Sequence, residues 1–284
     1  MHATGYKLVK LANGVISIHS LAHGETFHPV IGPAAEAEAL YVRQLRLADR
    51  IRAHRGEFVI WDVGLGAAAN ALTVLRATRE IECSIRLVSF DNTVEPLQFG
   101  LKHAAALGYF GDYEWHLQTL AQRGSATFVD GKQAVIWELH LADFPGLLAS
   151  SGAEKLSRPH VILFDAYSPA RNPGMWTLPL FARLFQLLDP QRPCALPTYS
   201  RSTMLRVTLL LAGFHVGAGH ATGEKEETTI AANTRDLIDE PLDGQWLERA
   251  RRSTSAEPLR EAVYRQERLS RETWEQLREH PQFK

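Results

Sequence analysis

The sequence predicts an α/β protein with a mostly parallel, doubly wound sheet. Apolar, strand-like runs alternate with helical patterns from Phe58 to Phe110, which is typical of parallel strands covered by helices. Ligands bind at the carboxyl ends of strands in such sheets. Several apolar runs end in an acid, and these acids are Asp62, Asp91, Asp143 and Asp165. The chain has 284 residues, which is long enough for one full sheet of this kind.

The N-terminal part is predicted to be a hairpin followed by a helix. Residues 7–12 and 15–19 have strand patterns and flank Asn13-Gly14, a strong signal for a tight turn. A helical pattern covers residues 33–55. The expected division is 1–55 for this hairpin and helix, 56–233 for the core, and 234–284 for a linker and a helical tail.

Later elements follow the same reasoning. Residues 126–140 have the pattern of two strands about Asp130-Gly131, which predicts an added hairpin. The remaining expected elements are a helix ending at 188, a strand at 194–198, a helix ending at 211, strands at 214–216 and 228–232, and a linker at 236–244.

A glycine-rich turn follows the first core strand. Asp62 closes the strand, and Gly64 and Gly66 lie in the turn before a helical pattern. Glycine lets backbone approach a ligand closely. The spacing lacks the third glycine of a dinucleotide site, which disfavours NAD. An acid followed by two glycines suits a ligand that carries an amine near an adenosine, such as S-adenosylmethionine, although a purely structural turn explains the motif equally well.

Two further acids have two interpretations each. Asp91 can accept hydrogen bonds from both ribose hydroxyls of a nucleoside, or it can cap a helix that begins near Thr93. Asp143 can accept a hydrogen bond from an adenine amine, or it can cap a short helix at residues 145–149.

The loop after the last of these acids is the most informative stretch. Asp165 ends the apolar run at residues 161–164, and the loop that follows contains Tyr167, Pro169 and Pro173. Two prolines limit the conformations of the loop, which suits reactive groups that need fixed positions. The alternative is a proline-rich turn that caps a buried strand.

These motifs together resemble the methyltransferase half of the bifunctional MnmC enzymes, which complete the 5-methylaminomethyl group of the tRNA wobble uridine. The matching loop residues are Asp165, Tyr167, Pro169, Asn172, Pro173, Met175 and Trp176. The matching glycine-motif residues are Asp62, Gly64, Gly66 and Asn70, with Ala68 in place of the last glycine. The stretch Gly24-Glu25-Thr26-Phe27-His28, with Glu36 after it, resembles the family's N-terminal segment. Residues 223–228 resemble a family hairpin, but Glu226 stands where relatives tend to be basic.

The resemblance implies a class I, Rossmann-like, S-adenosylmethionine-dependent methyltransferase that acts on the 5-aminomethyl group of the wobble uridine and releases S-adenosylhomocysteine. Asp165 would orient the amine and take its proton, or only anchor the loop. Tyr167 would shape the slot around the methyl group, or only be part of the core. The implied cofactor-binding residues are Asp62, Gly64, Gly66, Asn70, Asp91, Asp143, Glu25 and His28. A lone histidine such as His28 can equally be structural.

Length and cysteine content narrow the expected partners. A second domain of oxidase size does not fit in 284 residues, so we expect no FAD-dependent half, and upstream tRNA-modifying enzymes would supply the aminomethyl substrate. Cys83 and Cys194 are too few for a metal cluster, so we expect no metal. The first five residues lack a secretory pattern and no apolar run reaches membrane-spanning length, so we expect a cytoplasmic protein.

Charge restricts any RNA contact to a local patch. A formal net charge of −1 is unusual for a protein that binds a polyanion. The candidate patch is the set of arginines on the first predicted helix, which are Arg43, Arg46, Arg50, Arg52 and Arg55, unless they only form a solvated face. Two alternatives remain: a methyltransferase of a small amine, suggested by the charge and Glu226, and a binding protein without catalysis, suggested by Ala68.

Overall fold

The computed structural model describes residues 5–222 and 226–284. Two compact units lie within them. The first comprises residues 5–143, 162–165, 221–222 and 226, and the second comprises 144–161, 166–220 and 227–284. Two predictions concern residues outside the described ranges. They are the one for the first four residues and the one for Gly223-Glu224-Lys225 in the family-like hairpin.

A small antiparallel sheet opens the first unit. It consists of β1 (Tyr6–Lys10), β2 (Ile16–Ser20) and β3 (Glu25–Thr26). Gly14, in the connection between β1 and β2, has φ 89°, a value that glycine adopts readily. The predicted hairpin is confirmed, and β3 adds a third strand to it.

The single helix predicted over residues 33–55 is wrong. The chain instead forms α1 (Pro33–Ala37), a π-helix (Glu38–Arg43) and α2 (Leu47–Ala53). Arg46 has φ 46°, in the left-handed region, and this conformation ends one helix before the next begins. The widened π-helical segment contains Tyr41, which is fully buried and whose hydroxyl donates to the carbonyl of Phe164, 3.4 Å away.

The main sheet of the first unit is mostly parallel. Its elements in chain order are β4 (Glu57–Val63), α3 (Ala69–Thr78), β5 (Cys83–Asp91), α4 (Glu95–Lys102), α5 (Ala104–Leu107), α6 (Glu114–Arg123), β6 (Ser125–Asp130), β7 (Gln133–Leu141) and β8 (Val161–Phe164). The strand order is β8-β4-β5-β7-β6. β5 pairs in parallel with both β4 and β7, and β6 and β7 form the predicted hairpin about Asp130-Gly131. The predicted fold class is confirmed.

The second unit carries the reversed strand expected from the resemblance. Its elements are α7 (Phe144–Ala149), α8 (Leu178–Gln186), β9 (Ala195–Thr198), α9 (Thr203–Leu211), β10 (His215–Gly219), β11 (Thr228–Ala232), β12 (Glu240–Pro241), α10 (Gly244–Arg252) and α11 (Arg271–Arg278). Val161, the first residue of β8, pairs in parallel with β9, whereas β11 runs antiparallel to both β9 and β10.

The C-terminal residues are fixed to β10. The predicted linker at residues 236–244 contains β12, which pairs antiparallel with β10. The Gln282 side chain accepts from the N–H of Val216 at 2.8 Å and donates to the carbonyls of Val216 and Leu242 at 2.7 and 2.8 Å. The end of the tail is therefore held by three hydrogen bonds rather than by helix packing alone. Among the helices of the described chain, none has the length and apolar character needed to cross a membrane.

Acidification should weaken the attachment of the tail. Burial, and then the neighbouring His215, lower the pKa of His280 from 6.5 to about 4. The unfolded chain therefore binds more protons than the folded protein between about pH 4 and 6.5, so the stability contribution of His280 is lost as pH falls through this window. Because Nδ1 of His280 accepts from the N–H of Gln282, His280→Asn keeps an acceptor without a titrating group. In urea unfolding from pH 7 to 5, we expect wild type to lose more stability than the variant. An equal loss of stability in wild type and His280→Asn between pH 7 and 5 would contradict this expectation.

Candidate active site

Backbone hydrogen bonds align three strand ends in the first unit. The N–H of Gly64 donates to the carbonyl of Phe90 at 2.9 Å, and the N–H of Asp165 donates to the carbonyl of Val63 at 3.0 Å. The ends of β4, β5 and β8 therefore meet, as expected for a sheet of this type. The N–H of Ala142 donates to the carbonyl of Asp91 at 2.9 Å, which places Asp143 at the same edge.

The glycine turn passes between an aromatic ring and an acid. Gly64 and Gly66 both have positive φ, 90° and 52°. The N–H of Gly66 donates to Oδ2 of Asp91 at 3.0 Å. A Cβ at Gly66 would lie 3.2 Å from the ring of Phe27, closer than most side chains approach one another. The turn therefore requires glycine for its conformation and for the close approach of Phe27.

Ala68 keeps the backbone conformation that a glycine would adopt easily. It precedes α3 with φ 64° and ψ 16°, and it is fully buried. The left-handed conformation costs a residue with a Cβ roughly 1–2 kcal/mol. The substitution is therefore accommodated by strain at this residue, and α3 still begins directly after it.

Asp62 is a fully buried acid whose two carboxyl oxygens differ in their hydrogen bonding. The hydroxyl of Ser89 donates to its Oδ2 at 2.8 Å, and the indole N–H of Trp137 donates to Ser89 Oγ at 2.9 Å. Oδ1 has no hydrogen-bond partner among the described residues. Burial, opposed by the Ser89 bond and reinforced by Asp165 and Asp91, raises the pKa of Asp62 to about 7. A cationic donor at Oδ1 would satisfy that oxygen and stabilise the charged form.

Asp91 binds the backbone of the turn that follows β5. Its Oδ1 accepts from the N–H groups of Asn92 and Thr93 at 2.8 and 3.3 Å. The alternative interpretation, a helix N-cap, is wrong, because α4 begins at Glu95 and its N-cap is Val94. Burial raises the pKa of Asp91, and the backbone hydrogen bonds counteract part of that shift. Since a carboxylate has about four lone-pair positions, Asp91 retains acceptor capacity for hydroxyl groups.

Asp165 is held by side chains from distant parts of the first unit. Asn70 Nδ2, in the first turn of α3, donates to Asp165 Oδ2 at 2.7 Å. His28 Nε2 lies 3.4 Å from the same oxygen. The structure shows that Asn70 positions Asp165, whereas its predicted role in cofactor binding stays a prediction.

Glu36 is a residue of the site for which the sequence predicted no role. Its Oε1 lies 3.5 Å from His28 Nδ1, and its side chain is only 6% exposed. An acid in a helical pattern usually indicates a solvated face, so the local pattern does not predict that Glu36 is buried. Glu25, which was predicted to approach the cofactor, lies on β3, three residues before His28.

Tyr167 belongs to the second unit, where its loop is well anchored. Its carbonyl accepts from the indole N–H of Trp176 at 2.7 Å. Trp176 is fully buried and packs edge-on against Tyr199, with ring centroids 6.1 Å apart. The Tyr199 hydroxyl donates to the carbonyl of Ala166 at 3.0 Å. Trp176 is therefore a packing anchor, whereas the role of Tyr167 stays a prediction.

Asp62→Asn should stabilise the ligand-free protein at alkaline pH. The unfolded chain releases the Asp62 proton near the ordinary carboxyl pKa of 3.8, whereas the folded protein releases it near its raised pKa of about 7. The stability contribution of Asp62 is therefore present below about pH 4 and is lost as pH rises through 7. An amide carries no charge to desolvate, so the advantage of the variant should be about 1–3 kcal/mol larger at pH 8 than at pH 5. Urea unfolding without ligand measures this, and an equal difference at both pH values would contradict it.

Comparisons with known proteins agree with this geometry. A model of a family described as S-adenosyl-L-methionine-dependent methyltransferase matches residues 118–234. The tRNA 5-methylaminomethyl-2-thiouridine biosynthesis bifunctional protein MnmC of Methylibium petroleiphilum is 30% identical over 237 residues, which cover 78% of this chain and 34% of that protein. The protein of the same name from Pseudomonas putida is 25% identical over 259 residues, which cover 86% of this chain and 37% of that protein.

A solved structure supports the fold. The crystal structure of MnmC2 from Aquifex aeolicus has a TM-score of 0.68 at 21% identity and covers 97% of this chain and 83% of that chain. The present chain spans about a third of the length of the curated relatives it matches. These findings confirm the resemblance predicted from the Asp165 loop and the glycine motif. The chain is thus similar to a family of S-adenosyl-L-methionine-dependent methyltransferases over residues 118–234, and to about a third of the length of the MnmC proteins.

Proposed function

We propose that this protein is an S-adenosylmethionine-dependent N-methyltransferase. Its substrate would be the 5-aminomethyl(-2-thio)uridine at the wobble position of tRNA, and its product the 5-methylaminomethyl form. One observation carries the proposal: Asp62, a buried acid with one unsatisfied oxygen, and Asp165, a positioned acid, lie at adjoining strand ends. The first suits the ammonium of a methionine moiety, and the second suits an attacking amine. The names of the curated relatives support this class of acceptor.

The residues of the first unit fit the proposed cofactor. Asp62 would bind the ammonium group through Oδ1, and Asp91 would accept from the ribose hydroxyls. Gly64 and Gly66 would allow close backbone approach, and Asp143 would accept from the adenine amine. Asn70, Glu25 and His28 complete the proposed cofactor-binding set. When bound, S-adenosylmethionine supplies an electrophilic methyl group on a sulfonium.

Asp165 would orient the acceptor amine. Asn70 donates to Oδ2 at 2.7 Å, so the carboxylate is held in one orientation before substrate arrives. An alkylamine is mostly protonated at neutral pH and must lose a proton before it can attack. Holding the reacting atoms in line can lower a barrier by about 7–11 kcal/mol, so positioning would supply most of the catalysis. Tyr167 is proposed to line the slot for the methyl group.

RNA contact would involve the arginines near the π-helix and α2. Arg43, Arg46, Arg52 and Arg55 are exposed, and Arg52 is partly occupied by an ion pair with Asp49 at 2.8 Å. Such a local patch is compatible with a net charge of −1, because phosphate contacts are made only where the RNA binds. Upstream tRNA-modifying enzymes would supply the aminomethyl group, and the expected absence of FAD and of metal stays a prediction.

A second candidate is a methyltransferase of a small amine. The net charge of −1 and the exposed Glu226 favour it, since both weaken attraction to a polyanion. The two candidates predict opposite results with free amines. Turnover of a free amine without any transfer to tRNA would select the second.

Asp165→Asn should abolish most methyl transfer. The amide keeps a partner for Asn70 but loses the charge that orients an ammonium and accepts its proton. We expect a loss of roughly 10²-fold or more in labelled methyl transfer from S-adenosylmethionine to tRNA isolated from cells that lack this modification. Cofactor binding should be retained, and Asp112→Asn, an exposed acid in the same unit, is the matched control. Full activity of Asp165→Asn would refute the proposed role.

Cofactor affinity should depend on pH through Asp62. Its pKa is raised to about 7 without ligand, so ammonium binding requires loss of a proton below that pH. Calorimetric titration with S-adenosylmethionine should show affinity falling by up to about tenfold per unit as pH decreases from 7 to 6. Asp62→Asn should weaken binding and flatten this dependence. The same slope in wild type and variant would exclude Asp62 as the ammonium partner.

A further inference from the structure

A histidine lies between two carboxylates at the proposed methyl-transfer site. His28 Nε2 is 3.4 Å from Asp165 Oδ2, and His28 Nδ1 is 3.5 Å from Glu36 Oε1. The three side chains are 9%, 15% and 6% exposed, in the order His28, Asp165, Glu36. Opposite edges of one imidazole therefore face two different acids, which is the arrangement needed to pass a proton across the ring.

The backbone holds His28 in an uncommon conformation for a residue with a side chain. His28 has φ 47°, in the left-handed region. The preceding residue is fixed, because the N–H of Phe27 donates to the carbonyl of Ile18 at 2.8 Å. Such outliers persist only where the surrounding structure over-determines them, and they cluster at functional sites. The strain therefore supports a functional role for the His28 ring.

Glu36 is positioned equally firmly. Its N–H donates to the carbonyl of Gly32 at 3.1 Å. Gly32 has φ 91°, and a Cβ there would lie 2.7 Å from Cγ1 of Val15, so this turn requires glycine. A contact from the connection between β1 and β2 thus restricts the turn at the start of α1, and with it the carboxylate that faces His28 Nδ1.

We propose that His28 accepts the proton which the acceptor amine loses, with Asp165 as the group that passes it and Glu36 as a positioning residue. The inference rests on the proposed function. An N–H bond of the substrate ammonium breaks, its electron pair stays on nitrogen, and the proton moves by way of Asp165 to Nε2 of His28. The nitrogen then forms a bond to the methyl carbon while the carbon–sulfur bond breaks and its electron pair stays on sulfur. The product is a secondary ammonium, which has one hydrogen fewer on nitrogen than the primary ammonium of the substrate. One proton in total is therefore released to solvent through His28.

An imidazole suits this step better than a carboxylate alone. The ordinary pKa of histidine is about 6.5 and that of aspartate about 3.9, so imidazole is the stronger base near neutral pH. Glu36 favours the tautomer with hydrogen on Nδ1, which leaves the lone pair of Nε2 facing Asp165. Two acids face the ring, Glu36 from α1 and Asp165 after β8. Both negative charges would favour the imidazolium that would form.

The same three side chains could also hold a metal ion, since they offer ligand atoms within 4.8 Å of one another. The two ring nitrogens, however, each face a different carboxylate, and a single ion can bind only one of them. An ion bound there would therefore leave one ring nitrogen facing a carboxylate, and removal of divalent cations distinguishes it from proton transfer.

The test is the pH profile of kcat/KM for tRNA methylation by wild type, His28→Gln and Glu36→Gln. His28→Gln should lose about 10²-fold or more at pH 7, and the deficit should shrink by about tenfold per unit toward pH 9, because only the free amine reacts without the base. Glu36→Gln should move the acid limb of the profile to lower pH by about one unit, since a neighbouring negative charge is removed. His19→Gln, in β2 of the same small sheet, is the matched control and should keep the wild-type profile.

Other outcomes overturn the proposal. A deficit of His28→Gln that is constant with pH would indicate a structural role, and a matching loss of S-adenosylmethionine affinity would make His28 a cofactor ligand only. Activity that is lost in EDTA and restored by a divalent cation would assign the three side chains to a metal. If wild type methylates neither tRNA nor a free amine, the proposed function fails. The interaction of His28 with Glu36 is then tested by NMR titration of the His28 ring. The midpoint of that titration must lie at lower pH in Glu36→Gln than in wild type.

Discussion

The hydrogen bond from Asn70 Nδ2 to Asp165 Oδ2, 2.7 Å long, joins the two motifs that define the candidate site. Asn70 ends the glycine motif in the first turn of α3, and Asp165 begins the loop after β8. Ala68 accepts a left-handed conformation so that α3 can start where Asn70 reaches this acid. A shift of the helix start by one residue would turn the Asn70 side chain by about 100° and break the bond.

Several acids converge at this edge of the sheet, at an electrostatic cost. Asp165 and Asp91 both raise the pKa of the buried Asp62, and burial raises the pKa of Asp91 itself. Like charges in a poorly solvated place destabilise one another unless a cation joins them. A ligand with an ammonium and a sulfonium would offset that repulsion. The ligand-free site is therefore arranged to prefer a cationic ligand.

The N-terminal segment contributes titratable groups to the candidate site as well as cover. The ring of Phe27 lies against the glycine turn, and His28 and Glu36 form a line of titratable groups that ends at Asp165. These residues come from outside the parallel strands. The sheet thus supplies the acids proposed to bind the cofactor, and the small N-terminal sheet with α1 supplies the groups proposed to move the proton.

The sequence by itself determined the features that depend on local conformation. Asn13-Gly14 and Asp130-Gly131 mark hairpins, and acids mark the strand ends, because turn dihedrals and strand periodicity are properties of neighbouring residues. Only the tertiary structure decided the break at Arg46, the burial of Glu36, and the pairing of β12 with β10. Each of these depends on contacts between residues far apart in the chain, and no local pattern records which distant side chain will lie opposite.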